Sequence, residues 1–118
     1  MELRMSQITT HILDTSKGTP AENICVRLEK KEKDGVWDKI SSGTTDSDGR
    51  IMNLLYDGDS LDIGLYKMIF ITGPYFERQG IPFFYPEIEI CFLINNPKQH
   101  YHIPLLLSPF GYSTYRGS

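Results

Sequence analysis

Apolar and polar residues alternate along most of this chain in short runs that end at glycine, proline, asparagine or aspartate. Alternation with a period of two residues is typical of β-strands with one buried face, whereas the period of an amphipathic helix is hard to find. The pattern predicts eight strands, and the segment between Pro74 and Gly80 predicts one short helix within 73–80. The strands are expected near 7–13, 23–33, 36–43, 50–54, 64–72, 87–95, 99–107 and 112–116.

The segment 87–95 carries the clearest alternation. Its core-facing residues are expected to be Ile88, Ile90, Phe92 and Ile94. The corresponding residues of the segment 23–33 are Ile24, Val26 and Leu28. Because each sheet has one apolar face that must be covered, we predict an all-β sandwich of two sheets, forming a single domain over 1–118.

Residues 103–107 depart from this alternation, since Ile103, Pro104 and three leucines make both faces of the strand apolar. A two-sheet sandwich covers only one of those faces. Monomers seldom expose large apolar patches, so the outward face is expected to be buried against another subunit. We therefore predict a homo-oligomer.

The charge balance narrows the choice of partners. Twelve basic and fifteen acidic side chains give a net charge of −3, which makes nucleic acid and anionic membranes poor partners. The sequence contains no apolar run of the ~20 residues that a membrane helix needs, and its start lacks the apolar region of a secretory signal. Cys25 and Cys91 are far apart and outside any CxxC pair, so we expect reduced thiols in a cytoplasmic protein.

Three histidines are the first candidates for chemistry, because imidazole titrates near neutral pH. His100 and His102 are two residues apart in a predicted strand and therefore point to one side of the sheet. His11 shares a face with Gln7 and Thr9, away from the apolar side of its strand. Each histidine could also be a merely exposed or locally hydrogen-bonded side chain. Together the three match the ligand set of a three-histidine zinc site, and this alternative stays open.

Two further segments carry candidate binding groups. Asp48-Gly49 is expected to form a tight turn that delivers Arg50 to the next strand. The Arg50 guanidinium is then either a surface charge or a fork for a planar carbonyl or anionic ligand. The last four residues of the sequence, Tyr115-Arg116-Gly117-Ser118, are expected either to continue a polar strand or to fray.

Four motifs, in order along the chain, are similar to those of a known family. They are THILD at 10–14, TDSDGR at 45–50, HYHIPLLLSP at 100–109 and YRGS at 115–118. Through these motifs the chain resembles the 5-hydroxyisourate hydrolases, the transthyretin-related enzymes of urate breakdown, over essentially its whole length. The resemblance implies an eight-stranded transthyretin-like β-sandwich with one short helix. It also implies a homotetramer, built as a dimer of dimers with active sites in the channel between the dimers.

The same resemblance implies a reaction. The enzymes of this family open the six-membered ring of 5-hydroxyisourate, a small purine derivative, by attack of water on a ring carbonyl. The expected product is 2-oxo-4-hydroxy-4-carboxy-5-ureidoimidazoline, and neither a cofactor nor a metal is expected to take part.

Site residues are also implied by the resemblance. The catalytic residues would be His11, Arg50, His102 and Ser118, and the substrate-binding residues His11, Arg50, Tyr115 and Arg116. We expect His102 to be the general base and His11 to orient water or substrate and protonate the departing nitrogen, with the exchange of these roles left open. Arg50 is expected to stabilise the oxyanion. Ser118 could act through its hydroxyl or its carboxylate, and His100 is expected to be supporting or structural.

Three other functions compete with the hydrolase. A carrier would bind a small aromatic ligand in the same channel. The transthyretin carriers generally have lysine, glutamate and threonine in place of His11, Arg50 and His102 and lack the YRGS motif, so these residues favour the enzyme. A zinc hydrolase comes next. An immunoglobulin-like adhesion module comes last, because the two cysteines and the tryptophan do not convincingly match its Cys-Trp-Cys spacing.

Overall fold

Nine strands and one helix lie within residues 6–56 and 58–118, the part of the chain that the computed structural model describes. The strands are β1 (Ile8–Asp14), β2 (Thr19–Pro20), β3 (Cys25–Lys31), β4 (Trp37–Thr44), β5 (Arg50–Ile51), β6 (Gly64–Ile71), β7 (Glu87–Ile94), β8 (Tyr101–Ser108) and β9 (Gly111–Thr114). The helix is α1 (Gly73–Glu77). The predicted all-β class with one short helix is therefore confirmed.

The strands form two sheets. One sheet has the order β2-β1-β8-β9, with β5 also paired to β1, and the other has the order β4-β3-β6-β7. Strands β1 and β8 run parallel, and every other pair of described strands is antiparallel. A parallel pair needs a long crossover between its strands, and here the whole second sheet lies between β1 and β8 in the chain.

The core lies between the two sheets. Val26 and Leu28 of β3 and Ile88 and Ile94 of β7 are buried in one cluster with apolar residues of β1 and β8. Ile90 and Phe92 are partly buried and pack against the same cluster. The predicted core faces of 23–33 and 87–95 are thus confirmed, and they produce the sandwich because both sheets supply an apolar face to one interior.

Some strand limits differ from the prediction. Strand β2 was not predicted, since two residues are too few to show a period. The segment 50–54 narrows to Arg50–Ile51. The segment 112–116 becomes Gly111–Thr114, and the chain then returns to the sheet at Gly117, which pairs with His102.

Helix α1 packs its buried side chains against the end of β1. Pro74 occupies the first turn, as predicted, and a turn of chain continues from the helix to Gly80, whose φ of 66° suits glycine. The Tyr75 hydroxyl donates a hydrogen bond of 2.7 Å to Oδ2 of the fully buried Asp14. Burial, together with this bond, raises the pKa of Tyr75 to about 12. The bond ties the helix to the first strand.

Both cysteines lie on the outward face of the β4-β3-β6-β7 sheet. Cys25 in β3 and Cys91 in β7 are exposed and free. This arrangement confirms that they are not joined through the core. In the described ranges, no helix combines the length and the apolar character needed to cross a bilayer.

Candidate active site

The parallel pairing of β1 with β8 brings two of the predicted site residues to one face. Thr9 lies opposite His102, and His11 lies opposite Pro104. Residues paired across two strands share a face of the sheet, and residues two apart along a strand share it too. His11 and His102 therefore project from the outward face of the sheet, away from the buried Ile8 and Ile12. The predicted placement of His11 is confirmed.

Strand β5 adds Arg50 beside His11, its register partner. The preceding turn holds this position: Asp46 Oδ1 accepts hydrogen bonds from the backbone N–H groups of Asp48, at 2.9 Å, and Arg50, at 3.0 Å. Gly49 has a φ of 72°, and a Cβ there would lie 2.5 Å from the carbonyl oxygen of Ile12. Only glycine fits this turn, which delivers Arg50 as predicted.

The guanidinium of Arg50 is available for a ligand. Arg50 is exposed and lies on the same face as His11. In residues 6–56 and 58–118, the salt bridges join Glu29 to Arg27 and to Lys67, and Lys67 to Glu89, all away from Arg50. A guanidinium without an ionic partner among the described residues can bind carbonyl oxygens or an anion.

The backbone of Gly117 lies directly against His102. The N–H of Gly117 donates a hydrogen bond of 2.9 Å to the carbonyl of His102. A Cβ on Gly117 would lie 2.5 Å from Cδ2 of the His102 ring and 3.1 Å from Cγ of Pro104. This contact places Ser118, which is exposed, immediately after a residue that touches the imidazole.

Tyr115 and Arg116 line a second surface. They border a cavity of about 340 Å³ between β7 and β8, to which His102 also contributes. Arg116 stacks over the ring of Tyr101, 4.4 Å from its centroid, and donates a 3.2 Å hydrogen bond to Gln99 Oε1. Tyr101 is buried on the core side of β8. In this conformation Arg116 therefore points away from His11 and Arg50, although Tyr115 remains exposed.

Thr9 is a member of the cluster that the sequence did not single out. Its hydroxyl lies 2.8 Å from His100 Nε2 and 2.8 Å from His102 Nδ1. The two imidazole rings are stacked with centroids 6.3 Å apart. This geometry confirms that His100 and His102 point to one side. The only sequence signal for Thr9 was that it shares a face with His11.

The pKa values of all three histidines are lowered. Burial has the largest effect on the pKa of His102, followed by the charges of His100, Arg50 and His11. Burial and then Arg50 lower the pKa of His11, against a hydrogen bond to the Asp48 backbone and two nearby carboxylates. Burial alone lowers the pKa of His100. Since free histidine titrates near pH 6.5, these imidazoles are neutral at neutral pH and can accept a proton.

A metal-binding cluster does not form among the described residues. Within 6–56 and 58–118, no group of three or more His, Cys, Asp and Glu side chains is placed to hold a metal ion. One nitrogen of each of two imidazoles, His100 Nε2 and His102 Nδ1, faces the Thr9 hydroxyl.

The arrangement described above has counterparts in known proteins. The model of the HIUase/Transthyretin family matches residues 8–117 of this chain. The chain belongs to the HIUase/Transthyretin family. This membership confirms the resemblance and the transthyretin-like sandwich.

Members of the HIUase/Transthyretin family that resemble this chain include both 5-hydroxyisourate hydrolases and a transthyretin in complex with thyroxine. The 5-hydroxyisourate hydrolase of Salmonella dublin is 48% identical over 111 residues, which cover 94% of this chain and 80% of that protein. The structure of the Klebsiella pneumoniae 5-hydroxyisourate hydrolase superposes with a TM-score of 0.82 at 36% identity, covering 94% of this chain and 98% of that one. Sea bream transthyretin in complex with thyroxine superposes with a TM-score of 0.87 at 36% identity, covering 94% of each chain. The matches to the two enzymes confirm that the protein is a hydrolase.

Proposed function

We propose that this protein hydrolyses 5-hydroxyisourate and opens its six-membered ring to 2-oxo-4-hydroxy-4-carboxy-5-ureidoimidazoline, a step of urate breakdown. One observation carries the proposal: strand register places His11, Arg50 and His102 together on the outward face of one sheet. Two neutral imidazoles beside an exposed guanidinium suit the attack of water on a carbonyl. The 48% identity to a 5-hydroxyisourate hydrolase supports the choice of substrate.

In the proposed mechanism His102 is the general base. Its lowered pKa leaves the imidazole free of a proton at neutral pH, so it can take one from the attacking water. Nδ1 of His102 is engaged by Thr9, which leaves Nε2 as the nitrogen that meets the water. Gly117 packs against the ring and limits its rotation.

His11 would orient the water or the substrate and protonate the departing ring nitrogen with the proton that His102 takes from the attacking water, so that both imidazoles end the cycle neutral. Arg50, the register partner of His11, lies beside it on the same face. Both histidines have lowered pKa values and lie on one face, so the geometry also suits the exchange of their roles.

Arg50 would bind the substrate carbonyls and stabilise the oxyanion at the attacked carbon. A single well-placed donor of this kind contributes about 10²–10³ in rate in other hydrolases. Tyr115 is exposed beside the cavity that His102 borders and would bind the heterocycle, and Ser118 would act next to the same imidazole. Arg116 would bind substrate only after leaving Tyr101 and Gln99.

We infer that the active form is a homotetramer, a dimer of dimers in the cytoplasm with its sites between the dimers. Leu13 and Leu106 pair across β1 and β8 on the same outward face as His11, and both are only half-buried in the single chain. A second subunit over this face would cover these leucines and enclose the polar cluster. Light scattering of the purified protein should then give the mass of four chains, and the mass of one chain would contradict the assembly.

The carrier remains the second candidate, because the transthyretin–thyroxine structure superposes with a higher TM-score than the Klebsiella enzyme. The fold alone does not separate the two functions. The separating experiment follows the ultraviolet absorbance of freshly generated 5-hydroxyisourate with and without the protein and a metal chelator. The hydrolase predicts a faster decay that the chelator leaves unchanged. An unchanged decay would favour the carrier, and a chelator-sensitive one would favour a metal enzyme.

A further inference from the structure

We propose that the hydroxyl of Thr9 fixes which nitrogen of His102 carries the proton and links that proton to His100. The inference rests on the proposed function only for its consequences in turnover. Its basis is one buried hydroxyl within 2.8 Å of a ring nitrogen of each histidine. Thr9 is a positioning residue in this proposal, because it meets the substrate only through His102.

The chemistry of a hydroxyl leaves the pair two states in which the Thr9 proton is itself hydrogen-bonded to one of the rings. A hydroxyl donates one hydrogen bond, and each ring nitrogen of a neutral imidazole is either a donor or an acceptor. If Thr9 donates to His100 Nε2, then His102 must donate from Nδ1, and its Nε2 keeps a lone pair. If Thr9 donates to His102 Nδ1, the reverse holds. The two tautomers are therefore complementary, and the first state makes Nε2 of His102 a base.

The buried position of Thr9 favours keeping both of its hydrogen bonds to the histidines. Thr9 is completely buried and lies directly opposite His102 in the parallel pair of β1 and β8. The two rings that are hydrogen-bonded to the hydroxyl are stacked, with an interplanar angle of 20°. A buried hydroxyl that loses one of these bonds would carry an uncompensated desolvation cost, so both bonds should persist.

The bridge also provides a route for a proton. When Nε2 of His102 takes a proton from water, the Nδ1 proton of His102 can pass to the Thr9 oxygen while the Thr9 hydroxyl proton passes to His100 Nε2. His102 is then neutral with its proton on Nε2, and His100 carries the positive charge. The same protons return by the reverse path when Nε2 of His102 releases its proton.

Charge favours this displacement. An imidazolium at His102 would be repelled by the charge of Arg50, whereas among the described residues burial is what lowers the pKa of His100. His100 also borders an open cavity of about 390 Å³, whose lining includes Asp59, Lys98 and Gln99. Solvent in that cavity can exchange the proton of His100, on the side of the bridge away from the substrate.

Nuclear magnetic resonance of the free protein tests the proposal without any substrate. The ¹⁵N shifts of the histidine rings report which nitrogen is protonated. We expect His102 with its proton on Nδ1 and His100 with an unprotonated Nε2 at neutral pH. Thr9→Val keeps the shape and removes the hydroxyl, so His102 should become a mixture of tautomers. Thr9→Ser keeps the hydroxyl and should restore the single tautomer.

Turnover supplies the second readout. Thr9→Val should lower kcat by about tenfold or more, since a correctly placed general base contributes roughly 10²–10⁴-fold. Thr9→Ser should retain most of the rate. His100→Gln can still hydrogen-bond to Thr9 but cannot be protonated, so it should keep the His102 tautomer and change the solvent isotope effect on kcat.

The outcomes separate this inference from the proposed function. A His102 tautomer that is already mixed in the wild type, or that Thr9→Val leaves unchanged, would overturn the role of Thr9 even in an active hydrolase. An isotope effect that His100→Gln leaves unchanged would overturn the link to His100. A protein that shows the expected tautomers but does not hydrolyse 5-hydroxyisourate would refute the proposed function and leave the bridge established.

Discussion

Gly117 contacts His102 so closely that no side chain fits between them. Its N–H bonds to the His102 carbonyl at 2.9 Å, and a Cβ would lie 2.5 Å from Cδ2 of the imidazole. The backbone at Gly117 therefore sets the position of the proposed base. The glycine is needed here for space, because no positive φ is involved at this residue.

Gly117→Ala should displace either the imidazole or the segment that holds it. We expect kcat to fall by about 10²-fold, since a misplacement of about 1 Å can cost that much. The melting temperature should change little, because Gly117 lies outside the core cluster. Gly111→Ala is the matched control, as its Cβ would meet only Ser108 Oγ at 3.7 Å. Equal kcat values in the two variants would refute the positioning role.

Arg50→Gln removes the charge beside both histidines. The proposed oxyanion role predicts a fall in kcat/KM of about 10²–10³. Because Arg50 lowers the pKa values of His11 and His102, both should rise in the variant, as followed by ring proton shifts during titration. Arg27→Gln, on the outward face of the other sheet, should alter neither quantity. Unchanged histidine pKa values in Arg50→Gln would contradict the placement of Arg50.

The pH dependence follows from the direction of the histidine shifts. The pKa values of His11, His100 and His102 are lower in the folded protein than the ordinary 6.5, so the unfolded chain binds more protons as the pH falls below that value. The histidine contribution to stability should be fully present above pH 6.5 and be lost as the pH falls through the folded pKa values.

Urea unfolding at pH 7.5 and pH 5.5 measures this loss of stability. Over the same range, kcat/KM should fall as the pH is lowered, with a midpoint below pH 6.5, because the base His102 becomes protonated. The titratable and charged groups that act on His102 are His100, Arg50 and His11. A midpoint above pH 6.5, or greater stability at pH 5.5, would show that the histidines gain protons on folding.

Tyr75→Phe separates stability from catalysis. Although burial would raise the pKa of Asp14, hydrogen bonds from Ser16, Tyr75 and Lys17 lower it, so the carboxylate is charged and fully bonded. Removing the Tyr75 hydroxyl should lower the free energy of unfolding by about 1.5–3 kcal/mol, the usual contribution of a bond to a charged group. Tyr56→Phe, at an exposed side chain, should change it by far less. Activity per folded molecule should stay the same in both.

The sequence predicted the parts of this molecule that depend on a repeated pattern. The alternation of 87–95 located β7 and its core face, and the doubly apolar segment 103–107 located β8. Strand β2 was not predicted, because two residues are too few to show an alternating pattern. The strand predicted over 112–116 ends at Thr114, and the chain pairs with the sheet again only at an isolated bridge at Gly117. The sequence did not show this break, because an isolated bridge has no hydrophobic pattern.

In the candidate site, too, some features could be predicted from local sequence patterns and others required the tertiary structure. Strand parity was enough to place His100 with His102, and the Asp48-Gly49 turn was enough to deliver Arg50. The role of Thr9 required the parallel register of β1 with β8, which joins residues more than 90 positions apart in the chain. The direction of Arg116 depended on its stacking over Tyr101, and no local pattern predicts such a contact.

The most direct test of the account is the initial rate of 5-hydroxyisourate decay with the wild-type protein and with His102→Ala at equal concentrations of folded protein. The proposed mechanism predicts a wild-type rate well above the spontaneous decay and a fall in kcat of about 10²-fold or more in the variant. The melting temperature should fall as well, because the buried Thr9 hydroxyl loses one of its two hydrogen bonds, and comparison at equal concentrations of folded protein separates this loss from the loss of turnover. An unchanged kcat in His102→Ala would contradict the account, since the proposed base would then take no part in turnover.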